Sequence, residues 1–319
     1  MANIKKTIRQ KLEVAGKRSI LFNTLAHGFW DIWYWWSAGR FSPEAYAKRK
    51  FKKAFGRELD LKNPQTLNEK IQWLKLYYNV NKPFYTQCAD KYGAREYIAK
   101  EFGEEYLVPL LFETKDVRRL TPENIPDCKC IVKSNHDSGH YYIIRDKKNV
   151  DFRWLRNECK YWLSVDYYKR GKEWQYKNIE RRIIVEKLLE TKEGKIPNDY
   201  KLHFINGELQ FIYVSFDREG VNDRCVFDEH WNRLPFVWLE KVKYKPTLNT
   251  SDVPCPKSLG KMIEFGTRVA QNFKYVRVDF YDVDGKLYFG EITLHHGGGY
   301  DSFFPEEYDL VYGRKLNLR

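Results

Sequence analysis

The chain has 319 residues, 43% hydrophobic and 17% aromatic, which is long enough to bury a sizeable core and too apolar for a disordered chain. Its 56 Lys and Arg against 43 Asp and Glu leave a formal net charge of +13, which favours anionic partners without choosing among them. Six scattered cysteines, Cys88, Cys128, Cys130, Cys159, Cys225 and Cys255, include no CxxC pair and no histidine at zinc spacing, so they read as reduced thiols in a cytosolic protein.

Residues 1–60 read as a helical, basic and aromatic segment. Lys5, Lys6, Arg9, Lys11, Lys17 and Arg18 precede Phe29, Trp30, Trp33, Tyr34, Trp35 and Trp36. Asp31 would cost roughly 2.5–3.5 kcal/mol inside a bilayer, so residues 1–38 are expected to lie on the inner face of the cytoplasmic membrane rather than cross it. The plain alternative is that these aromatics pack as ordinary core. Ser42 and Pro43 open a helix through "SPEAYAKRKFKKAFG". Residues 61–112 form a helical lead-in, where Thr66 and Glu69 make a capping-box pattern before "IQWLKLYY" and a further helix covers "TQCADKYGAREYIAKEF".

The periodicity then changes to alternating or apolar runs bounded by turn residues, which read as strands. These are "EEYLVPLLFE", "KCIVKSNHDSGHYYIIRD", "RRIIVEKLLE", "YKLHFINGELQFIYVSFDR" and "YVRVDFYDVDGKLYFGEITL". Helices are expected at "VDFRWLRNECKYWLSVDYYKR" and "KSLGKMIEFGTRVAQNF". The fold class is α+β, with a first lobe at 113–190 and a second at 191–319, both inside a domain spanning 61–319.

The last hairpin sets an acid in the middle of each strand, Asp279 and Glu291. A two-residue turn at Asp284–Gly285 would set Asp279 opposite Gly290 and leave Glu291 on the other face. A three-residue loop at 283–285 would bring Asp279, Glu291, Arg277 and Thr293 onto one face, with the two acids as diagonal neighbours about 7–8 Å apart. The second geometry is the expectation, because separated carboxylates could not share a metal. Two converging carboxylates suit Mg²⁺ with substrate phosphates among its ligands. Lys133 ends an apolar strand before the small loop "SNHDSG", an arrangement suited to polyphosphate. Glu186, Lys187 and Glu190 follow another apolar strand, and Asp199 and Lys201 open the "NG" hairpin.

Taken together, "NPQTLNEKIQWLKLYY", "ADKYGAREYI", "VKSNHDSG", "DYKLHFINGELQFI", "FDEHWNRLPF" and "VRVDFYDVDGKLYFGEIT" resemble the TupA-like ATP-grasp family of bacterial surface-polysaccharide, teichuronopeptide-type biosynthesis, over about residues 40–318. The resemblance implies an ATP-grasp fold, two α+β lobes whose antiparallel sheets grip ATP, behind the N-terminal helical segment. It implies that Lys133, Ser138, Gly139 and Lys187 meet the nucleotide, that backbone from Glu186 to Leu189 receives adenine, and that Glu190 lies near the ribose. It implies Mg²⁺ on Asp279, Glu291 and Thr293, the last standing where the family more often has Asn, with Arg277 and Lys201 as catalytic cations. His295 and His296 line the same end of the hairpin, where they either meet the acceptor or lie on the surface. The implied activity is that of a ligase joining a small amine or amino acid to a uronic acid or other anionic glycan of the capsule or teichuronic type.

Three alternatives stand beside it: a kinase of a glycan hydroxyl, a glycosyltransferase, or a scaffold of glycan assembly. The D-x-D of the second exists at 282–284 but falls in a hairpin turn. No RNA or DNA module pattern occurs, so no nucleic-acid partner is expected.

Overall fold

The computed structural model describes residues 20–216, 223–239 and 251–319. In chain order its principal helices and strands are α1 (Ile20–Tyr34), α2 (Pro43–Phe55), α3 (Leu67–Trp73), α4 (Pro83–Ala89), α5 (Gly93–Glu101), β1 (Leu110–Thr114), β2 (Cys130–Ser134), β3 (Tyr141–Ile144), α6 (Phe152–Ser164), α7 (Tyr167–Gly171) and β4 (Ile183–Lys187). They continue with β5 (Asp199–Ile205), β6 (Glu208–Phe216), β7 (Asp223–Phe227), β8 (Val237–Leu239), α8 (Leu259–Ala270), β9 (Tyr275–Val283), β10 (Lys286–Thr293), β11 (Ser302–Phe304) and α9 (Glu307–Lys315).

The chain divides into two compact units. One comprises the chain up to Ser42, Pro109–Gly171 and Glu180–Leu188; the other comprises Pro43–Val108, Lys172–Ile179 and Leu189–Arg319.

The first unit is a four-stranded antiparallel sheet in the order β1-β4-β2-β3. Cys130, Val132, Ile183 and Val185 bury one face with Phe152, Leu155, Cys159 and Trp162 of α6. That helix starts where it does because the Asp151 carboxylate accepts from the Trp154 N–H at 2.9 Å. α1 packs against α6 through His27, whose ring stacks on Tyr161 at 3.7 Å and whose Nε2 lies 3.1 Å from Glu158.

The second unit is built on a five-stranded antiparallel sheet in the order β10-β9-β5-β6-β7. Leu202, Phe204, Val276, Val278, Phe280 and Ile292 line one face, over Met262, Phe265 and Val269 of α8. The other face is aromatic at one end, where Phe211, Tyr213 and Tyr275 meet Leu67 and Ile71 of α3, Trp238 of β8, Phe303 of β11 and Tyr312 of α9. Thr66 and Glu69 form the expected capping box at the head of α3. The helix expected across "TQCADKYGAREYIAKEF" is instead two, because Asp90 turns the chain between α4 and α5. Its carboxylate accepts from the Tyr92 N–H at 2.9 Å and its carbonyl from the Ala94 N–H at 2.8 Å.

The β9–β10 hairpin corrects one expectation and keeps its consequence. The turn has two residues, Asp284 (φ 55°) and Gly285 (φ 93°), with Val283 opposite Lys286, and not the expected three-residue loop. A regular ladder would then turn Glu291 away from Asp279. A β-bulge at Gly290 restores the alignment: Phe289 pairs with Phe280, and Glu291 pairs directly with Asp279. Any Cβ at 290 would lie 2.9 Å from the Asp279 carbonyl oxygen, so the bulge needs glycine.

Gly290→Ala is therefore expected to destabilise the protein by roughly 1–3 kcal/mol, the range for overpacking a closed contact. Chemical denaturation checks this; an unchanged midpoint and slope would show that the strand relaxes around the methyl group.

Candidate active site

The strand register of the second unit sets five charged side chains in a row across one sheet face. Lys201 is directly opposite Asp279, and Asp279 directly opposite Glu291, while Asp199 and Arg277 sit two residues along on the same sides. The order in space is Asp199, Lys201, Asp279, Arg277, Glu291, so opposite signs alternate. Lys201 Nζ donates to Asp199 and, at 2.8 Å, to Asp279 Oδ2. Arg277 grips Asp279 bidentately, Nε to Oδ1 at 2.6 Å and Nη2 to Oδ2 at 2.7 Å, and Nη2 also donates to Glu291 Oε1 at 2.7 Å. Thr293 Oγ1 donates to that same Glu291 oxygen at 3.1 Å.

Burial grades along the row. Asp279 is 2% exposed, while the Glu291 side chain retains 41%. Burial raises the pKa of Asp279 against the pull of Arg277 and Lys201. At Glu291 desolvation also opposes ionisation, but Arg277, Lys91, Lys201 and the Thr293 hydroxyl outweigh it and hold the carboxyl at about 2. Burial pushes Lys201 down, and Asp199 and Asp279 overcome that to leave it above its ordinary value. Asp199 is 7% exposed, and its Oδ1 has no hydrogen-bond partner.

Beside Arg277 stand the two histidines of the "LHHGGG" tail and the groups that hold them, Asn79, Glu173, Asp301 and Trp238. His296 Nδ1 lies 3.4 Å from Arg277 Nη1, its Nε2 lies 3.2 Å from Asp301 Oδ2, and its ring packs on Trp238 at 4.0 Å. His295 is enclosed by Asn79 (2.8 Å to Nε2) and Glu173 (2.9 Å to Nδ1). Both histidines are buried, His296 at 5% and His295 at 2% exposure, so the surface role weighed for them is corrected, and His296 lies against the Arg277 guanidinium.

The remaining candidates divide between the units. In the first, Lys133 Nζ pairs with Glu186 Oε2 at 2.5 Å on the sheet face opposite α6, while Lys187 is exposed and alternates to the other face. The Lys187 and Leu188 N–H groups donate to the carbonyls of Pro109 and Lys129, at 2.9 and 3.0 Å, so these two donors of the Glu186–Leu189 backbone are engaged within the unit. In "SNHDSG" the first four residues are buried, and Asp137 turns its oxygens onto Ser134 and His140 (2.5 Å for the latter). Only Ser138 and Gly139 (φ 100°) are exposed at its tip. Leu189 and Glu190 are half-buried in the second unit.

The donor chemistry at Asp279, Glu291 and Thr293 is all oxygen, which fits a hard cation, and Glu291 is open to water and substrate. Among the described residues no group of three or more His, Cys, Asp or Glu is arranged to cage a metal. Mg²⁺ commonly takes one or two carboxylates and completes its shell elsewhere. The D-x-D acids are structural: Asp282 accepts from the Ser258 N–H (2.9 Å) and hydroxyl (2.6 Å), and Asp284 from the Lys192 N–H at 3.0 Å. Burial pushes the Cys130 thiol up to about 11 and that of Cys159 well above its usual value, so neither is a ready nucleophile.

The sequence matches the family described as TupA-like ATPgrasp over residues 69–317. A comparison with curated proteins gives no match. Among solved structures, D-alanine–D-alanine ligase from Bacillus anthracis is 14% identical over 72% of this chain and 60% of its own, with a TM-score of 0.38. The same enzyme from Helicobacter pylori is 12% identical over 79% and 69%, with a TM-score of 0.42. The ATP-grasp ligase PsnB, complexed with minimal precursor, Mg and ADP, is 13% identical over 72% and 58%, with a TM-score of 0.37. The chain thus spans less than two thirds of the first of these relatives.

Two outcomes follow from the charge row and its surroundings. Arg277→Met leaves Asp279 and Glu291 facing each other, and should cost roughly 3–5 kcal/mol, the usual loss when one partner of a buried pair is removed. Urea denaturation measures this, and a loss under about 1 kcal/mol would mean that water replaces the guanidinium. His203 is fully buried against Phe211, and burial holds its pKa well below 6.5. Its stabilising contribution is present above pH 6.5 and is lost as pH falls, because the unfolded chain takes up the proton first. Between pH 7.5 and 5.0 the wild type should lose up to about 2 kcal/mol more stability than His203→Gln; parallel pH profiles would contradict this.

Proposed function

Because this chain belongs to the TupA-like ATPgrasp family, we propose that it is an ATP-dependent ligase that joins an amine to an activated carboxylate. The acceptor class is a sugar acid or anionic glycan of the cell surface, of capsule or teichuronic type, and the amine is an amino acid or similar small molecule. A carboxylate oxygen attacks the γ-phosphorus of ATP, the bond to ADP breaks, and an acylphosphate forms. The amine nitrogen attacks the acyl carbon, the bond to phosphate breaks, and the amine gives up a proton. The products are amide, ADP and inorganic phosphate.

The alternating charge row carries this reading. Both steps move negative charge between oxygens, and a fixed array of cations lowers its energy without a protein nucleophile. Lys201 and Arg277 supply that charge, and each is held by carboxylates on both sides so that little reorganisation is needed when charge moves. Asp279, Glu291 and Thr293 would hold Mg²⁺, whose chemistry is to neutralise nucleotide phosphates. Lys133, Ser138 and Gly139 are the phosphate-side candidates of the first unit, and Leu189 and Glu190 the base- and ribose-side candidates of the second. A net charge of +13 favours an acidic acceptor.

The test is product analysis with labelled ATP, candidate sugar acids and amino acids, followed by mass spectrometry of adducts. Stoichiometric ADP and phosphate with an amide adduct is the expected result. ADP without free phosphate would replace ligation by phosphoryl transfer to a hydroxyl. Asp279→Asn and Glu291→Gln should each lower turnover by roughly two to three orders of magnitude, several kcal/mol of transition-state stabilisation, with the fold intact by circular dichroism. Turnover within about threefold of wild type in both variants would exclude the row as the reaction centre.

A further inference from the structure

The N-terminal aromatics answer the choice between core and surface by splitting in two. On one side of α1, Trp30, Trp33 and Tyr34 are half-buried, the His27 ring lies flat on Tyr161, the Asp31 carboxylate accepts from Arg170 Nη2 at 3.1 Å, and the Arg170 guanidinium lies 4.1 Å from the Tyr34 ring. That side seats the helix on α6 and α7. On the other side Leu25, Phe29 and Ile32 recur at spacings of four and three, which makes one stripe along the helix, and Trp36 follows in the π-helical turn Trp35–Gly39 just beyond its end. They are 65%, 58%, 71% and 50% exposed, and Trp35 beside them is 63% exposed. These five are most of the large hydrophobic side chains exposed among the described residues; the others are Tyr77, Tyr141 and Val311.

We propose that this stripe docks the first unit onto an anionic lipid bilayer, with α1 lying in the plane of the interface. Charge decides for that occupant. The sequence just before α1 carries Lys5, Lys6, Arg9, Lys11, Lys17 and Arg18, which lie outside the described residues, and Arg40 sits just after it with its guanidinium 4.8 Å from the Trp36 ring. Cations therefore flank the apolar stripe on both sides in sequence, a composition that suits phosphate headgroups while Trp and Phe enter the acyl boundary. A second copy of a chain with net charge +13 would bring like charges to the same edge, which opposes self-association through this face. No described helix is long and apolar enough to cross a membrane, and the Asp31 carboxylate in α1 favours lying in the interface over entering the acyl core. The docking is independent of which reaction the second unit performs.

Flotation of the full chain with vesicles tests it, using phosphatidylcholine alone and phosphatidylcholine with about a third phosphatidylserine. Wild type should float with the anionic vesicles at low salt, at least about tenfold more than with the neutral ones, and should detach as salt is raised. The triple variant Phe29→Ser, Ile32→Ser, Trp36→Ser should lose at least about tenfold of that binding, while Val311→Ser, an exposed apolar residue of the second unit, should keep it. Denaturation midpoints of the variants, equal to wild type, show that the fold is not the cause. Failure of wild type to float, or equal flotation of the triple variant, overturns the proposal. So does a wild-type dimer in sedimentation that the triple variant dissolves, which would make a second copy the occupant. Flotation that appears only when the six N-terminal cations are changed to Ser would also overturn it.

Discussion

The guanidinium of Arg277 is the contact on which the rest of the second unit's sheet face depends. Asp279 is nearly closed off from water, and Glu291 is its direct cross-strand neighbour. Two carboxylates so placed repel, and β9 and β10 could not hold this register without a charge between them. Arg277 supplies it from the same strand, one side-chain repeat away, with three charge-assisted hydrogen bonds. Lys201 does the same for Asp199 and Asp279 across β5 and β9. Each cation thus has two anions, and the row ends in an anion on either side: Asp199, buried with an Oδ1 that has no hydrogen-bond partner, and Glu291, its side chain 41% exposed and bonded to Arg277 and the Thr293 hydroxyl. The exposed end is where a further cation would enter.

That row was largely legible in the sequence, and the reason it was aligned was not. Period-two alternation places Arg277 with Asp279 and Glu291 with Thr293, so the acids and their companions could be named from spacing alone. The mutual facing of the two pairs needed the register, and the expected three-residue loop reached it by the wrong device. The sequence did hold the correct signal: Gly290 lies between Phe289 and Glu291 in the interior of a strand, where a glycine marks a bulge or a close backbone approach. Both hairpin turns, Asn206–Gly207 and Asp284–Gly285, take positive φ at both residues, as a two-residue turn of this composition does.

Less was legible at a distance. Lys133 was singled out, but its ion pair with Glu186 required the pairing of β2 with β4, which no local pattern gives. In α1 the aromatic run was read as one feature, either membrane-facing or core. The helix makes it two, because residues at 100° intervals cannot all face one way, and His27 and Asp31, which interrupt the apolar run, mark the side that contacts α6 and α7. Polar residues inside an aromatic stretch were the clue to which face is held by protein.

The histidine–glycine tail extends the dependence on Arg277 outward through the second unit. His296 can steady the guanidinium only if its own backbone is fixed, and three glycines in succession would ordinarily leave it loose. Here Gly297, Gly298 and Gly299 all take positive φ, and a Cβ at 299 would lie 2.5 Å from Gln72 Nε2. The glycines therefore admit side chains from α3 against their backbone rather than adding freedom. Gln72 Nε2 donates to the carbonyls of Gly298 and Gly299 at 2.8 Å each, and Lys75 Nζ donates to Gly298 at 3.0 Å from 4.4 Å over the Tyr300 ring. Burial lowers the Lys75 pKa to about 7, although Glu173 pulls the other way. A lysine kept at that cost in a buried position indicates that the tail's carbonyls need a donor there more than the helix needs an apolar residue. The chain of support then runs from the capping-box helix to the glycine tail, from the tail to His296, and from His296 to the arginine between the two acids. That path explains why "TLNEKIQWLK" and "LHHGGG", which are far apart in sequence, pack against each other in support of the charged row.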